Sequence, residues 1–394
     1  MPERNTVSEL PTRVREVRKR RGLSQKALAE LSGLSESYVA KLEQGNHGEV
    51  RVETVRKLAE ALQVTTSFLI GGRGDTEQEA APDRVVWEQT YRALLGRMQQ
   101  PDEEPTVDGV ADGLRALKPL LADNRYKELA TLLPPLLRDA EALNGNGRAV
   151  RSRLLNATGW VLTQTRQFDM AEPTLDRAID LADDRLDAAA AVNTRVWLHL
   201  RQGQLDQARN LATRWADDIE PRFSRATTIE LALWGRLLLG VSNAGVRDNR
   251  PGEAADAIRL ARAAAAGIGH EALSDTSTTR TFGPVTVAMI AAENAAVLNQ
   301  PDRVLAIAER IPADLPYAHS ASRNRHRLDV ASALVSMRKT NESFAVLQDL
   351  VRVSPEWLAK QRYARDIVGR LVAKRKRKLS SEMRELADAV GLAY

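Results

Sequence analysis

The chain has no cysteine. That excludes disulfide staples, thiolate zinc sites and cysteine nucleophiles, and it permits a reducing compartment. Aromatic residues make up only 4% of the 394 positions, while alanine, leucine and arginine abound; this composition favours helix over sheet. No apolar run approaches membrane-spanning length, and the nearest, VTVAMIAAENAAVL, carries Glu293 and Asn294. The first ten residues, MPERNTVSEL, lack the apolar core of a signal peptide. The expectation is a soluble cytoplasmic protein with no membrane partner. Charge of one sign is also missing: the formal net charge is +5, a weak global argument for nucleic acid.

Signatures of catalysis are absent too. There is no phosphate-cradling P-loop and no nucleophile elbow. GHEALS at 269–274 lacks the second histidine of a zinc-protease motif, and His319 with His326 is a bare pair seven residues apart. GGRG and NGNG read as linker and turn. The chain is expected to be no enzyme and to need no cofactor or metal.

Two blocks and a joint are present. Residues 10–70 carry five short helical periods. Residues 71–83, GGRGDTEQEAAPD, have linker composition. From 84 to 394 helical patterns follow one another across short breaks such as TRQFD, RQGQLD and LNQPD, with no clear strand. The front is locally basic: Arg13, Arg15, Arg18, Lys19, Arg20, Arg21 and Lys26 face only Glu16. The fold class expected is all-α.

In the front block Ser24 suits the cap of a helix running QKALAEL. Leu28 and Leu31 lie on one face, and Ala29 is small enough for a second helix to approach. Gly33 suits a positive-φ break. Ser35 caps the next helix, Val39 and Leu42 face inward, and Gly45 ends it. Two short helices on a glycine turn make a helix-turn-helix. The run Gln25–Gly45 resembles the XRE, or Cro/repressor, class, and VETVRKLAEALQVTTSFL resembles that class's closing helices. The resemblance implies a five-helix DNA-binding domain over 10–70 whose helix 35–44 enters the major groove. Glu36, Ser37 and Lys41 then occupy the reading positions: Lys41 donates to guanine, Ser37 donates or accepts, and Glu36 accepts from cytosine. Ser35 caps that helix at the interface, and Gln25, Tyr38, Asn46, His47 and Arg51 lie near phosphates. Arg18 and Glu43 match a structural pair of the class. For Glu36 a second reading stands, that it merely favours a helix start as an acid at the positive end of the dipole.

The back block repeats. Trp160, Trp197 and Trp234 stand 37 residues apart, with Asn156, Asn193 and Glu230 four residues before them. Apolar triplets follow at helical spacing: Ala171, Leu175 and Ala178, then Ala208, Ala212 and Trp215. In the third unit the triplet Ala254, Ile258, Ala261 comes nine residues late, after an insertion-like loop NAGVRDNRPG. Leu129, Leu133, Leu136, then Val304, Ala308, Ile311, then Ser343, Leu347, Leu350 extend the series. Helix pairs of this length bury their apolar faces by stacking into a solenoid. The units resemble degenerate tetratricopeptide repeats, with Gly159 at the small position; five or six pairs are expected, closed by a capping pair near 362–394. The basic run Lys374–Lys378 reads as a solvated helix end rather than a DNA contact.

In tetratricopeptide domains the first helix of each pair lines the concave surface. That resemblance implies a row formed by Asn156, Trp160, Asn193, Trp197, Glu230 and Trp234 facing a ligand. The competing reading is that the tryptophans are core. A helix-turn-helix head on such a body resembles the RRNPP regulators, which implies a homodimeric transcriptional regulator on a palindromic operator, responsive to a signalling peptide or small molecule. An adaptor or antitoxin-like protein, whose body holds a protein partner, is the alternative.

Overall fold

The computed structural model describes residues 9–21, 23–48, 50–71, 84–143, 147–273, 281–312, 320–373 and 380–392. Most of the expected linker, His319 and the basic run Lys374–Lys378 lie outside them. The described chain is helical apart from one hairpin of two-residue strands, β1 (Ala272–Leu273) and β2 (Thr281–Phe282), paired antiparallel. The hairpin departs from the strandless expectation. It drives Phe282, fully buried, against α13 (Thr228–Arg247) at Gly235, where a Cβ would lie 2.0 Å from the ring.

The head consists of α1 (Glu9–Arg20), α2 (Gln25–Ser32), α3 (Glu36–Glu43), α4 (Val52–Ala61) and α5 (Thr66–Ile70). Ser24 and Ser35 cap α2 and α3, accepting from the Ala27 and Tyr38 N–H groups. Gly33 takes φ 65° and its N–H closes the end of α2; a Cβ there would favour another conformation. Val14, Leu28, Val39, Leu42, Leu58 and Leu69 form the core. Leu31 does not join them. It is 61% exposed, because the buried stripe of α2 runs through Leu28, Ala29 and Ser32 instead.

The body opens with α6 (Arg84–Leu94) and continues as six helix pairs. They are α7 (Val107–Ala122) with α8 (Tyr126–Ala142), α9 (Arg148–Gln164) with α10 (Phe168–Asp180), and α11 (Arg185–Arg201) with α12 (Leu205–Asp218). Then come α13 with α14 (Pro251–Ile268), α15 (Pro284–Val297) with α16 (Pro301–Ala308), and α17 (Ala321–Ser336) with α18 (Thr340–Val353). Three further helices follow: α19 (Pro355–Ala359), α20 (Arg362–Ala373) and α21 (Ser381–Ala389).

Each pair turns through one left-handed residue: Asn124, Arg166, Gly203, Asn249, Asn299 and Arg338. Each stands five residues before the first packing position of its second helix: Leu129, Ala171, Ala208, Ala254, Val304 and Ser343, all buried. The turn therefore sets the register of the repeat. It also explains the third unit. The residues NAGVR are not loop; they lengthen α13, and the turn itself is as short as the others. At Gly159 a Cβ would meet Leu175 at 2.5 Å, so α9 and α10 approach only over a missing side chain.

The solenoid curls back on itself. Buried residues of α7–α9 and of α17–α21 belong to one apolar cluster. The Lys127 N–H at the start of α8 donates to Glu356 of α19 at 3.0 Å, and Arg201 of α11 donates to Gln361 after α19 at 3.2 Å. A concave face lined by first helices was expected; the curl closes it around a cavity.

Candidate DNA interface and central cavity

The α3 side of the head is built on a buried ion pair. Arg18 donates from Nε and Nη2 to the two carboxylate oxygens of Glu43, at 2.5 and 2.7 Å, and Gln25 Nε2 adds a bond of 2.9 Å. Burial by itself raises the Glu43 carboxyl; the bonds from Arg18 and Gln25 overcome it, and the group lies below the ordinary carboxylate range. This pair ties α1 to the last turn of α3 and fixes the angle at which α3 is presented. Glu36, Ser37 and Lys41 are exposed on α3, and Asn46 is exposed just beyond it. Tyr38 and His47 are half-buried. Several of the nine residues singled out for DNA have bonds within the protein in this conformation, among them Ser37 to Ser35 at 3.2 Å and His47 Nδ1 to the Gly48 carbonyl at 2.6 Å. Gln25 serves Glu43, the Ser35 hydroxyl accepts from Tyr38 N–H at 3.2 Å, and Arg51 pairs with Asp366 of α20 at 3.0 Å.

The last pair belongs to a docking surface between head and body. Thr66 Oγ1 donates to the Arg247 carbonyl at 2.8 Å. Asp248 Oδ1 accepts from both the N–H and the hydroxyl of Ser67, each at 2.7 Å. Asn249 Nδ2 reaches the Val64 carbonyl at 3.3 Å. Thr66, Ser67 and Asp248 are buried. The turn between α13 and α14 thus grips α5 by its first residues, where free N–H groups await an acceptor.

The cavity, of about 70 Å³, is lined by first helices and closed by α19. Trp160 and Gln164 come from α9, Trp197 and Arg201 from α11, Arg236 and Asn243 from α13. Met289 and Glu293 come from α15, Arg325, His326 and Asp329 from α17, and Trp357 from α19. Glu293 is buried between Arg247 Nη2 at 2.5 Å and Arg325 Nη2 at 3.5 Å. Burial pushes its carboxyl up, and the two guanidiniums pull it further down, so it stays ionised. Arg325 also stands 3.5 Å from Asp329 and lies over the Tyr363 ring at 4.4 Å. Burial dominates at Asp329, whose carboxyl is pushed up to about 7. It dominates at His326 as well, pushing the imidazole down to about 4 with help from Arg323.

The six residues of the Asn–Trp row separate. Trp160 and Trp197 face the cavity. Asn193 sits with Trp197 in a small recess between α11 and α13. Asn156 is buried, and its Oδ1 has no hydrogen-bond partner. Glu230 and Trp234 lie elsewhere. Glu230 is in the first turn of α13, where it accepts from the Thr227 N–H at 2.7 Å as one half of a capping box. Trp234 is core, edge-on to Phe223 at 5.7 Å. The reason is the frame. Trp160 and Trp197 stand six residues before their turns at Arg166 and Gly203; six before Asn249 stands Asn243, and six before Asn299 stands Glu293. Counting from the turns, not between tryptophans, finds both cavity residues.

The architecture is that of a helix-turn-helix DNA-binding domain carried on a helical repeat body. Residues 14–69 match the helix-turn-helix family model. No curated protein matches. Among solved structures, Bacillus thuringiensis PlcR in complex with the peptide PapR7 and DNA is 12% identical with a TM-score of 0.39, over 86% of this chain and 98% of that one. The apo form of ComR from S. thermophilus is 12% identical with a TM-score of 0.30, over 82% and 97%. Among the described residues no helix is long and apolar enough to cross a membrane, and no group of three or more acidic or histidine side chains is placed to hold a metal.

Proposed function

We propose that this chain is a sequence-specific transcription regulator whose body senses a ligand in the central cavity and reports it to the head. Lys41, Ser37 and Glu36 read base edges, Asn46, His47 and Tyr38 lie along the backbone, and Gln25 and Arg51 join them when the head is on DNA. The observation that carries the sensing reading is a continuity. Arg325 and Asp329 border the cavity on one side and the cleft beneath α4 on the other. Glu293 of the cavity wall binds Arg247, whose carbonyl receives Thr66 of the head. A ligand that draws Arg325 or Glu293 toward itself alters the support of α4 and α5 directly, through groups with two alternative partners. Two copies paired through their bodies would place two heads on half-sites about one helical turn apart, on a palindromic operator.

The test is selection of binding sites from random duplexes by the full chain, followed by footprinting and sedimentation of the complex. Enrichment of a two-fold motif bound by two chains is expected. Binding that shows no sequence preference, with a salt dependence that accounts for all of the affinity, would remove the regulator reading.

A further inference from the structure

We propose that the central cavity is a seat for an organic monocarboxylate, with Arg201 as its anchor; the proposal rests on the sensing reading above. Arg201 ends α11 with its guanidinium 5.7 Å from the Trp197 ring. One nitrogen, Nη1, donates to Gln361 Oε1. Nε and Nη2 are buried and have no acceptor. Acids that could answer the charge are committed elsewhere: Glu293 to Arg247 and Arg325, and Asp329 to Arg325. Arg166 and Arg325, both of its own sign, act on Arg201, and the Tyr126 hydroxyl opposes them. Burial and the two arginines push its pKa down to about 10, so it is still a cation at neutral pH.

A buried guanidinium without a counter-charge is unfavourable for folding and persists where function requires it. On the Arg325 side of the cavity the Asp329 oxygens are buried without a hydrogen-bond donor, 3.5 Å from the Arg325 guanidinium; around Arg201 the unmet groups are donors. Trp357, also on the cavity wall, has a buried Nε1–H with no acceptor. Donors without acceptors call for an acceptor ligand, and the planar fork of Nε and Nη2 matches a carboxylate. The Arg201 fork offers one carboxylate two parallel bonds. Trp160, Trp197 and Trp357 supply apolar ring surface for the rest of the molecule. A cavity of about 70 Å³ admits an acetate-sized carboxylate as it stands, and benzoate or a dipeptide enters only as the walls move apart. Free organic acids and the C-terminus of a short peptide share this head group.

The experiment follows thermal unfolding of the full chain with acetate, benzoate, benzamide, inorganic phosphate, the dipeptide Gly-Phe and its C-terminal amide, at ionic strength held constant with chloride. Benzoate or Gly-Phe is expected to raise Tm saturably by about 2–4 °C, and benzamide and the amidated dipeptide are expected to leave it unchanged. Benzoate without Gly-Phe points to a free acid, and the reverse to a peptide terminus; either supports the seat. In Arg201→Met the shift should vanish, while Tm without ligand equals or exceeds that of the parent, because the uncompensated charge is gone. Three results would overturn the proposal: no carboxylate raises Tm, phosphate matches the best carboxylate, or Arg201→Met lowers the ligand-free Tm as a structural residue would. Operator affinity measured in parallel separates the two readings. An intact thermal shift with unchanged DNA affinity keeps the seat and removes the sensing.

Discussion

Replacing Asp248 by alanine isolates the grip of the body on the head. Asp248 Oδ1 holds the Ser67 N–H and hydroxyl, both at 2.7 Å, and the site is buried. Hydrogen bonds to a charged group contribute about 1.5–3 kcal/mol each, and a stranded buried N–H costs about 1–3 kcal/mol. These terms overlap, so the docked state should lose about 2–4 kcal/mol, or roughly 30- to 700-fold in the ratio of docked to released head. The assay is amide hydrogen exchange at Ser67 and its neighbours in α5. Protection should fall by about that factor there, while α9 and α10, which pack mainly against each other and α11, keep theirs. The partner substitution Ser67→Ala removes one bond to the carboxylate and keeps the N–H satisfied, so it should cost about 1.5–3 kcal/mol, and the double variant should cost less than the sum. Asp248 also binds Arg250 at 3.0 Å, and Arg250→Ala controls for that loss. Unchanged exchange at Ser67 in Asp248→Ala, or an equal loss of protection throughout the body, would refute the reasoning.

Lys41→Ala should weaken operator binding by about 1–3 kcal/mol and relax one base position in a selection experiment; equal weakening on all sequences would make Lys41 a phosphate contact. Glu36→Gln should change the preferred base, whereas an unchanged preference would leave it a helix-start residue. Gly159→Val should destabilise the body by about 1–3 kcal/mol in denaturant unfolding, since its Cβ meets the fully buried Leu175 at 2.5 Å; Gly252→Ala, which meets nothing within 4 Å, should be neutral or stabilising by up to about 1 kcal/mol. His326, held down at about 4 against an ordinary 6.5, binds its proton more weakly when folded. Its stabilising contribution is complete above pH 6.5 and is lost as pH falls toward 4, by at most about 3 kcal/mol. His326→Gln should flatten that limb of the stability profile, and an unaltered slope would assign the acid sensitivity to other groups.

Much of the head was legible because its signals are local. Ser24, Gly33, Ser35 and Gly45 mark ends of short helices by their own backbone chemistry, and Val39 and Leu42 follow from the period of one helix. Leu31 was misjudged because a short helix leaves two faces open to choice, and only the position of its neighbour selects between them. The body was legible as a repeat, and the first residue of each second-helix triplet is buried, but Ile311 lies beyond the end of α16, and Leu136 and Trp215 give up the buried positions to Leu137 and Ala216. Its concave face was misread at Glu230 and Trp234 because three equal intervals between tryptophans looked like a register. The register instead belongs to the turns, and α13 grew longer while the tryptophan spacing stayed the same.

The sequence by itself determined an all-helical chain, a helix-turn-helix head and a stack of helix pairs, because capping, glycine turns and apolar periodicity act over a few residues. Tertiary structure decided where the ends of the solenoid meet, which buried charges remain without partners, and that Arg51 and Asp366 or Ser67 and Asp248 touch at all. Those contacts join residues between 160 and 315 positions apart, and no local pattern encodes them; they follow from the curvature that six stacked pairs accumulate together.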